Sequence, residues 1–152
     1  MKYMGMKEIA ISGLVAGFVT FLLSSVFYII PIISQISSQY LWECYKPYDA
    51  LGGITNLYLF ELSKNLVLTF FMAILYSYTE GGIVMKSAWK KGLFFGFLIF
   101  LVVEIPFAYF KWITSNYPGM LNILDILGGV INTFVGGIII AVLYARLSSL
   151  KS

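Results

Sequence analysis

Gly92-Leu-Phe-Phe-Gly96-Phe-Leu-Ile-Phe-Leu-Val-Val-Glu104-Ile-Pro106-Phe-Ala-Tyr109 is apolar throughout except for one carboxylate, and its reading decides the fold class. A helix rises 1.5 Å per residue, so about 20 apolar residues cross a hydrocarbon core of roughly 30 Å. Extended to Trp112, the run has that length. Three other stretches match it, Ile9 to Ile33, Leu57 to Tyr78 and Leu121 to Tyr144. The composition agrees: 60% of the 152 residues are apolar and 11% charged, with a mean hydropathy of +0.89. Such a chain cannot clothe a water-exposed surface. The expectation is an all-α integral membrane protein with four transmembrane helices in one domain spanning residues 1–152.

The first stretch follows Lys2 and Lys7 as a signal peptide would, but it exceeds a leader's usual length and no small-x-small cleavage site follows. It reads as a retained helix. Seven basic residues (Lys2, Lys7, Lys86, Lys90, Lys91, Arg146 and Lys151) lie at the termini or between the second and third helices, against Lys46 and Lys111 on the other side. The positive-inside rule then places both termini and the loop between the second and third helices in the cytoplasm, and the expected location is the cell membrane, as a multi-pass protein. Lys64 lies within the second helix.

Cys44 is the single cysteine and histidine is absent. An intrachain disulfide is therefore excluded, as are bis-histidine haem ligation, histidine metal sites and the commonest general base. The sequence shows no nucleophile–base pair, metal-ligand spacing or phosphate-binding glycine loop. It is read as a non-enzyme, without cofactor or metal, and nothing in it suggests a nucleic-acid partner.

The first and third helices share a pattern: Gly13-Leu14-x-x-Gly17-Phe18-x-x-Phe21-Leu22 matches Gly92-Leu93-x-x-Gly96-Phe97-x-x-Phe100-Leu101. The second and fourth helices share Ala73-Ile74-Leu75-Tyr76 and Ala141-Val142-Leu143-Tyr144. Two tandem helical hairpins in one orientation, related by a pseudo-two-fold axis along the membrane normal, are the expected arrangement. Tyr40, Trp42, Tyr45, Pro47 and Tyr48 in the first outer connection have the amphipathic character of headgroup-depth residues, as do Tyr109, Trp112 and Tyr117. Pro118-Gly119 is a turn signal.

Four ionisable groups fall at similar depth in the outer half of the bilayer. Glu61 and Lys64 lie about 6 Å and about 10 Å below Leu57, Glu104 about 12 Å from Trp112, and Asp125 about 10 Å from Pro118. Glu61, Lys64 and Asn65 share one helix face, expected to point into the bundle. Lys64 is the expected partner of Glu104, with Glu61 competing for it, and at least one carboxylate is left to be protonated or bound to a cation. Asn122 or Asp125 is placed to cap the fourth helix. Pro106 leaves the Val102 carbonyl without its donor, so a local distortion is expected there.

Gly128-Gly129 and Gly136-Gly137, with Asn132 between them, form a small-residue stripe on the fourth helix. Like Gly13, Gly17, Gly92 and Gly96, they suit close helix packing, against a neighbouring helix or another protomer. The leading functional expectation is a non-catalytic subunit or scaffold that assembles with other membrane subunits or as a homo-oligomer in the lipid bilayer. The alternative is a small proton- or cation-coupled carrier or channel using Glu104. A membrane-embedded lipid-modifying enzyme is the third and weakest reading.

Overall fold

The structure is a computed structural model that describes residues 6–26, 54–114 and 119–150. Four helices account for nearly all of them: α1 (Met6–Ser24), α2 (Ile54–Thr79), α3 (Ala88–Ile99, Phe100–Glu104 and Ile105–Thr114) and α4 (Gly119–Val130, Ile131–Val135 and Gly136–Ser149). All four are long and apolar enough to cross a bilayer, compatible with a multi-pass membrane protein. The expected boundaries shift by a few residues, since polar ends such as Thr79 and Ser149 still carry helical hydrogen bonding beyond the apolar run. Residues 27–53 and 115–118 lie outside the described residues, and with them the end of the first predicted span, the aromatic connection and most of the Pro118 turn.

The radial pattern of polarity is the reverse of that in a water-soluble bundle. Ser12, Thr20, Ser24, Asn65, Thr69, Asn132 and Thr133 are buried, whereas Phe18, Phe60, Phe71, Val102 and Phe107 are exposed. In lipid no hydrophobic effect drives helices together, so close contact falls to small residues and hydrogen-bonding side chains, and large apolar groups face the acyl chains.

Glycines determine which helices meet. A β carbon at Gly13 would touch the Thr69 carbonyl, the Phe70 Cα and the Ala73 Cβ; at Gly92 it would touch the Gly137 carbonyl, the Ile138 Cα and the Ala141 Cβ. Each partner in the second set lies 68 positions after its counterpart in the first. Gly17 meets the Leu66 Cα and Gly96 the Phe134 Cα, again 68 positions apart. The α1–α2 and α3–α4 pairs thus pack in one register, set by backbone approach that only glycine permits.

Between the pairs the packing is unequal. α1 lies closely against both α2 and α4, through Thr20 near Gly136 and a hydrogen bond from Ser24 Oγ to Asn132 Oδ1 of 2.9 Å. The α2 and α3 backbones approach less closely, because the Tyr76 and Phe95 rings stand between them in edge contact at 5.3 Å. Tyr76 makes a second edge contact, also at 5.3 Å, with Tyr144 of α4. Where α3 carries Phe95, the matching position of α1 is Ala16, fully buried. The volume of one side chain thus accounts for much of the asymmetry.

Two turns widen to π-helical geometry. In Phe100–Glu104 the Ile105 amide donates to the Phe100 carbonyl, five residues back. The wide turn ends beside Pro106, whose ring cannot donate to Val102, so the expected distortion takes this form. In Ile131–Val135 the Thr133 hydroxyl donates to the Gly129 carbonyl at 2.8 Å, competing with the backbone ladder where that helix widens.

Candidate functional site

The polar layer predicted from depth divides among neighbouring helices near the end of the bundle bearing Thr114 and Gly119. On α2, Glu61 Oε1 lies 2.5 Å from Lys64 Nζ. Asn65 Nδ2 donates to the Glu61 carbonyl at 2.8 Å and to Glu61 Oε1 at 3.3 Å. The three do not share the interior equally. Asn65 is fully buried, the Glu61 side chain is 14% exposed and the Lys64 side chain 54% exposed. Three residues turn a helix by about 300°, which leaves Lys64 beside the buried face, and its flexible stem lets the ammonium extend outward.

Glu104 occupies the π turn of α3 and packs against α4: a β carbon at Gly129 would lie 2.8 Å from its carboxyl carbon. This corrects the expected Lys64–Glu104 pair. Lys64 pairs with Glu61 on its own helix, and no ion pair joins it to Glu104. Lys64, Asp125 and Lys111 act on Glu104 electrostatically. Among the described residues no hydrogen bond or ion pair within 4 Å engages its carboxylate.

Asp125 is matched by a residue that the charge count placed only among the basic residues of the outer side. Lys111 Nζ lies 2.6 Å from Asp125 Oδ2 and 5.0 Å from the centre of the Phe107 ring. The pair joins α3 to α4 and is about three-quarters buried on each side. Asp125 therefore does not cap α4, since it lies nearly two turns inside a helix that begins at Gly119. Nor does Asn122, which instead donates to the Ala108 carbonyl of α3 at 3.4 Å. Its Oδ1 is buried without a hydrogen-bond partner among the described residues, as is Asn65 Oδ1.

The glycine stripe of α4 is divided among partners within the chain. Gly137 faces Gly92 and Gly96 of α3, Gly136 faces Thr69 and Thr20, and Gly129 faces Glu104. Gly128 is buried. Asn132 is occupied by Ser24. On α2 the single proton of the Thr69 hydroxyl is shared between the Gly13 carbonyl of α1 and the Asn65 carbonyl of its own helix, each at 2.8 Å.

Depth counting proposes Glu61, Lys64, Glu104 and Asp125, and helix-face spacing adds Asn65; neither names Lys111, Ser24 or Thr69. A finer signal for Lys111 existed, since it lies four residues beyond Phe107, one turn away on a helix with apolar residues on either side. Ser24 and Thr69 carry no sequence signal beyond polarity within apolar helices. At the opposite end of the bundle, Lys91 pairs with Glu80 across the turn between α2 and α3.

Chemically, the layer consists of two neutralised ion pairs and one carboxylate without a partner in reach. Among the described residues, no three metal-ligating side chains gather at one point. Comparison with protein-family models, with curated proteins and with solved structures finds no match to this chain.

Proposed function

We propose that the chain is a rigid, non-catalytic membrane subunit, built from two tandem hairpins, that works by assembling with other membrane subunits or with copies of itself in the cell membrane, both termini in the cytoplasm. The matched packing of Gly13 and Gly17 on α2 and of Gly92 and Gly96 on α4 carries this reading. It fits a duplicated hairpin unit whose small-residue faces are spent on its own cohesion. Lys64 and Lys111 are likewise matched within the chain, so two of the ionisable groups at membrane depth serve the bundle itself. The outward face is left with large apolar side chains such as Phe60, Phe71 and Phe107, which suit acyl chains and offer a partner helix only van der Waals packing.

Native mass spectrometry of the protein, extracted gently from its own membrane, tests this reading. The expected result is a fixed stoichiometry with a second membrane protein or with itself. A lone monomer after crosslinking in intact membranes would refute it.

One observation favours a second reading, a small proton- or cation-coupled carrier. Glu104 lies in a π turn, against Gly129 of α4, without a hydrogen bond or ion pair among the described residues. An ionisable group at membrane depth is costly and is a functional candidate by default. On this reading Glu104→Gln abolishes flux into reconstituted vesicles while leaving folding and assembly unchanged; unaltered flux would remove Glu104 from any transport role.

A further inference from the structure

At the end opposite the polar layer, a groove of about 430 Å³ runs along α3 and reaches α4, lined chiefly by Trp89, Lys90, Leu93, Phe94, Phe97 and Phe134. We propose that it holds an acyl chain of one anionic phospholipid whose headgroup is bound by Lys90 and Lys86.

Its walls are almost wholly apolar. At the deep end the Phe97 and Phe134 rings meet at 6.2 Å and 69°, while Leu93, Phe94 and Phe97 remain partly open along the outward face. From Lys90 to Phe97 is seven residues, about 10 Å along the helix. That is roughly a third of the hydrocarbon core, so a headgroup at Lys90 stays at the interface while its chain follows the groove. Trp89, beside the mouth, has the amphipathic ring that favours headgroup depth.

Charge selects the lipid class. Lys86, Lys90 and Lys91 stand within six residues. Lys91 is neutralised by Glu80, whereas Lys86 and Lys90 have no ion pair among the described residues. Lys90 Nζ instead lies 5.5 Å from the centre of the Trp89 ring. The N-terminal end of α3 already carries the positive pole of the helix dipole, so two further cations there leave an excess that an anion settles. Basic pockets between membrane helices recognise anionic headgroups in this way. A zwitterionic lipid fills the groove equally well but brings no net charge, and a free phosphate leaves the apolar wall uncovered.

The first hairpin supplies an internal comparison. In the shared register the positions of Trp89 and Lys90 fall on Ala10 and Ile11, while Lys86 falls on Lys7. The first half therefore keeps one basic residue but lacks the side chains that form the mouth.

Native mass spectrometry of the purified full chain, titrated with dioleoylphosphatidylglycerol, dioleoylphosphatidylcholine or glycerol phosphate, tests the proposal. The expected result is one phosphatidylglycerol retained in preference to phosphatidylcholine. Lys86→Gln and Lys90→Gln should each reduce that preference about fivefold, and Lys7→Gln should leave it unchanged. All three side chains are exposed, and an unchanged unfolding midpoint verifies that the variants are folded. Equal binding of the two lipids, an equal loss in Lys7→Gln, or displacement of the lipid by glycerol phosphate alone would overturn the proposal.

Discussion

Gly136 and Gly137 are adjacent, both buried, and alike to any argument from sequence, yet alanine should destabilise the second and not the first. A β carbon at Gly137 would lie 2.5 Å from the Gly92 carbonyl oxygen and 3.1 Å from both the Cα and the nitrogen of Gly96. All are backbone atoms of α3, and none can rotate away. Restoring an ordinary separation near 3.5–4.0 Å requires the helices to part by about 1 Å, which weakens contact along the Gly92–Gly96 seam. Overpacking of this kind costs about 1–3 kcal/mol, partly offset by up to about 1 kcal/mol from alanine's better helix propensity. A net loss of about 1–2 kcal/mol is expected for Gly137→Ala. At Gly136 the nearest atoms are the Thr69 and Thr20 methyls at 3.4 and 3.5 Å and the Met72 methyl at 3.9 Å. That is ordinary contact, so Gly136→Ala should be neutral or stabilising by up to about 1 kcal/mol. Reversible unfolding in mixed micelles, followed by circular dichroism, measures both. Equal destabilisation of the two variants, or greater harm from Gly136→Ala, would refute the packing register and the matched hairpins with it.

Ser24 and Asn132 tie α1 to α4 by a buried hydrogen bond of 2.9 Å. A double-mutant cycle with Ser24→Ala and Asn132→Ala should give a coupling of about 0.6 kcal/mol, and no more than about 1.7 kcal/mol; zero coupling would show that the contact is incidental. Lys111→Gln should cost about 1–3 kcal/mol by stranding a mostly buried Asp125, between the values for surface and fully buried pairs, and Lys111→Gln with Asp125→Asn should recover part of that loss. Unfolding measurements in which the double variant is as unstable as the two losses combined would mean that the charges act independently. The three atoms nearest a β carbon in Gly129→Ala all belong to the Glu104 side chain, at 2.8–2.9 Å. Because that carboxylate can swing aside, its effect should be smaller than that of Gly137→Ala, and a larger one would mean that Glu104 is held in place.

Length and apolarity alone point to four helices, because crossing a hydrocarbon core imposes a length that no local preference overrides. Distances counted along single helices likewise placed Glu61, Glu104 and Asp125 near one level. Depth along a helix is one-dimensional and follows from the rise per residue. Pairing is not, since it depends on which helices are neighbours and how closely they approach. That is why the sequence points Lys64 toward Glu104 and counts Lys111, the partner of Asp125, only among the basic residues of the outer side.

The glycine pattern shows the same division. Residue identity alone pointed to Gly13, Gly17, Gly92, Gly96, Gly136 and Gly137 as places where helices pack closely, since small residues in lipid have little other packing use. Tertiary structure alone decided that these contacts are made within the chain, and that neighbouring glycines face backbone in one case and methyl groups in the next. It also decided that α1 closes on α4 while α2 stands off from α3, because Phe95 and Tyr76 occupy space where Ala16 occupies almost none. Sequence determined what each helix offers, through length, polarity and side-chain size. Which offer met which partner was set by the volumes packed between helices, a property of the assembled bundle and of no single segment.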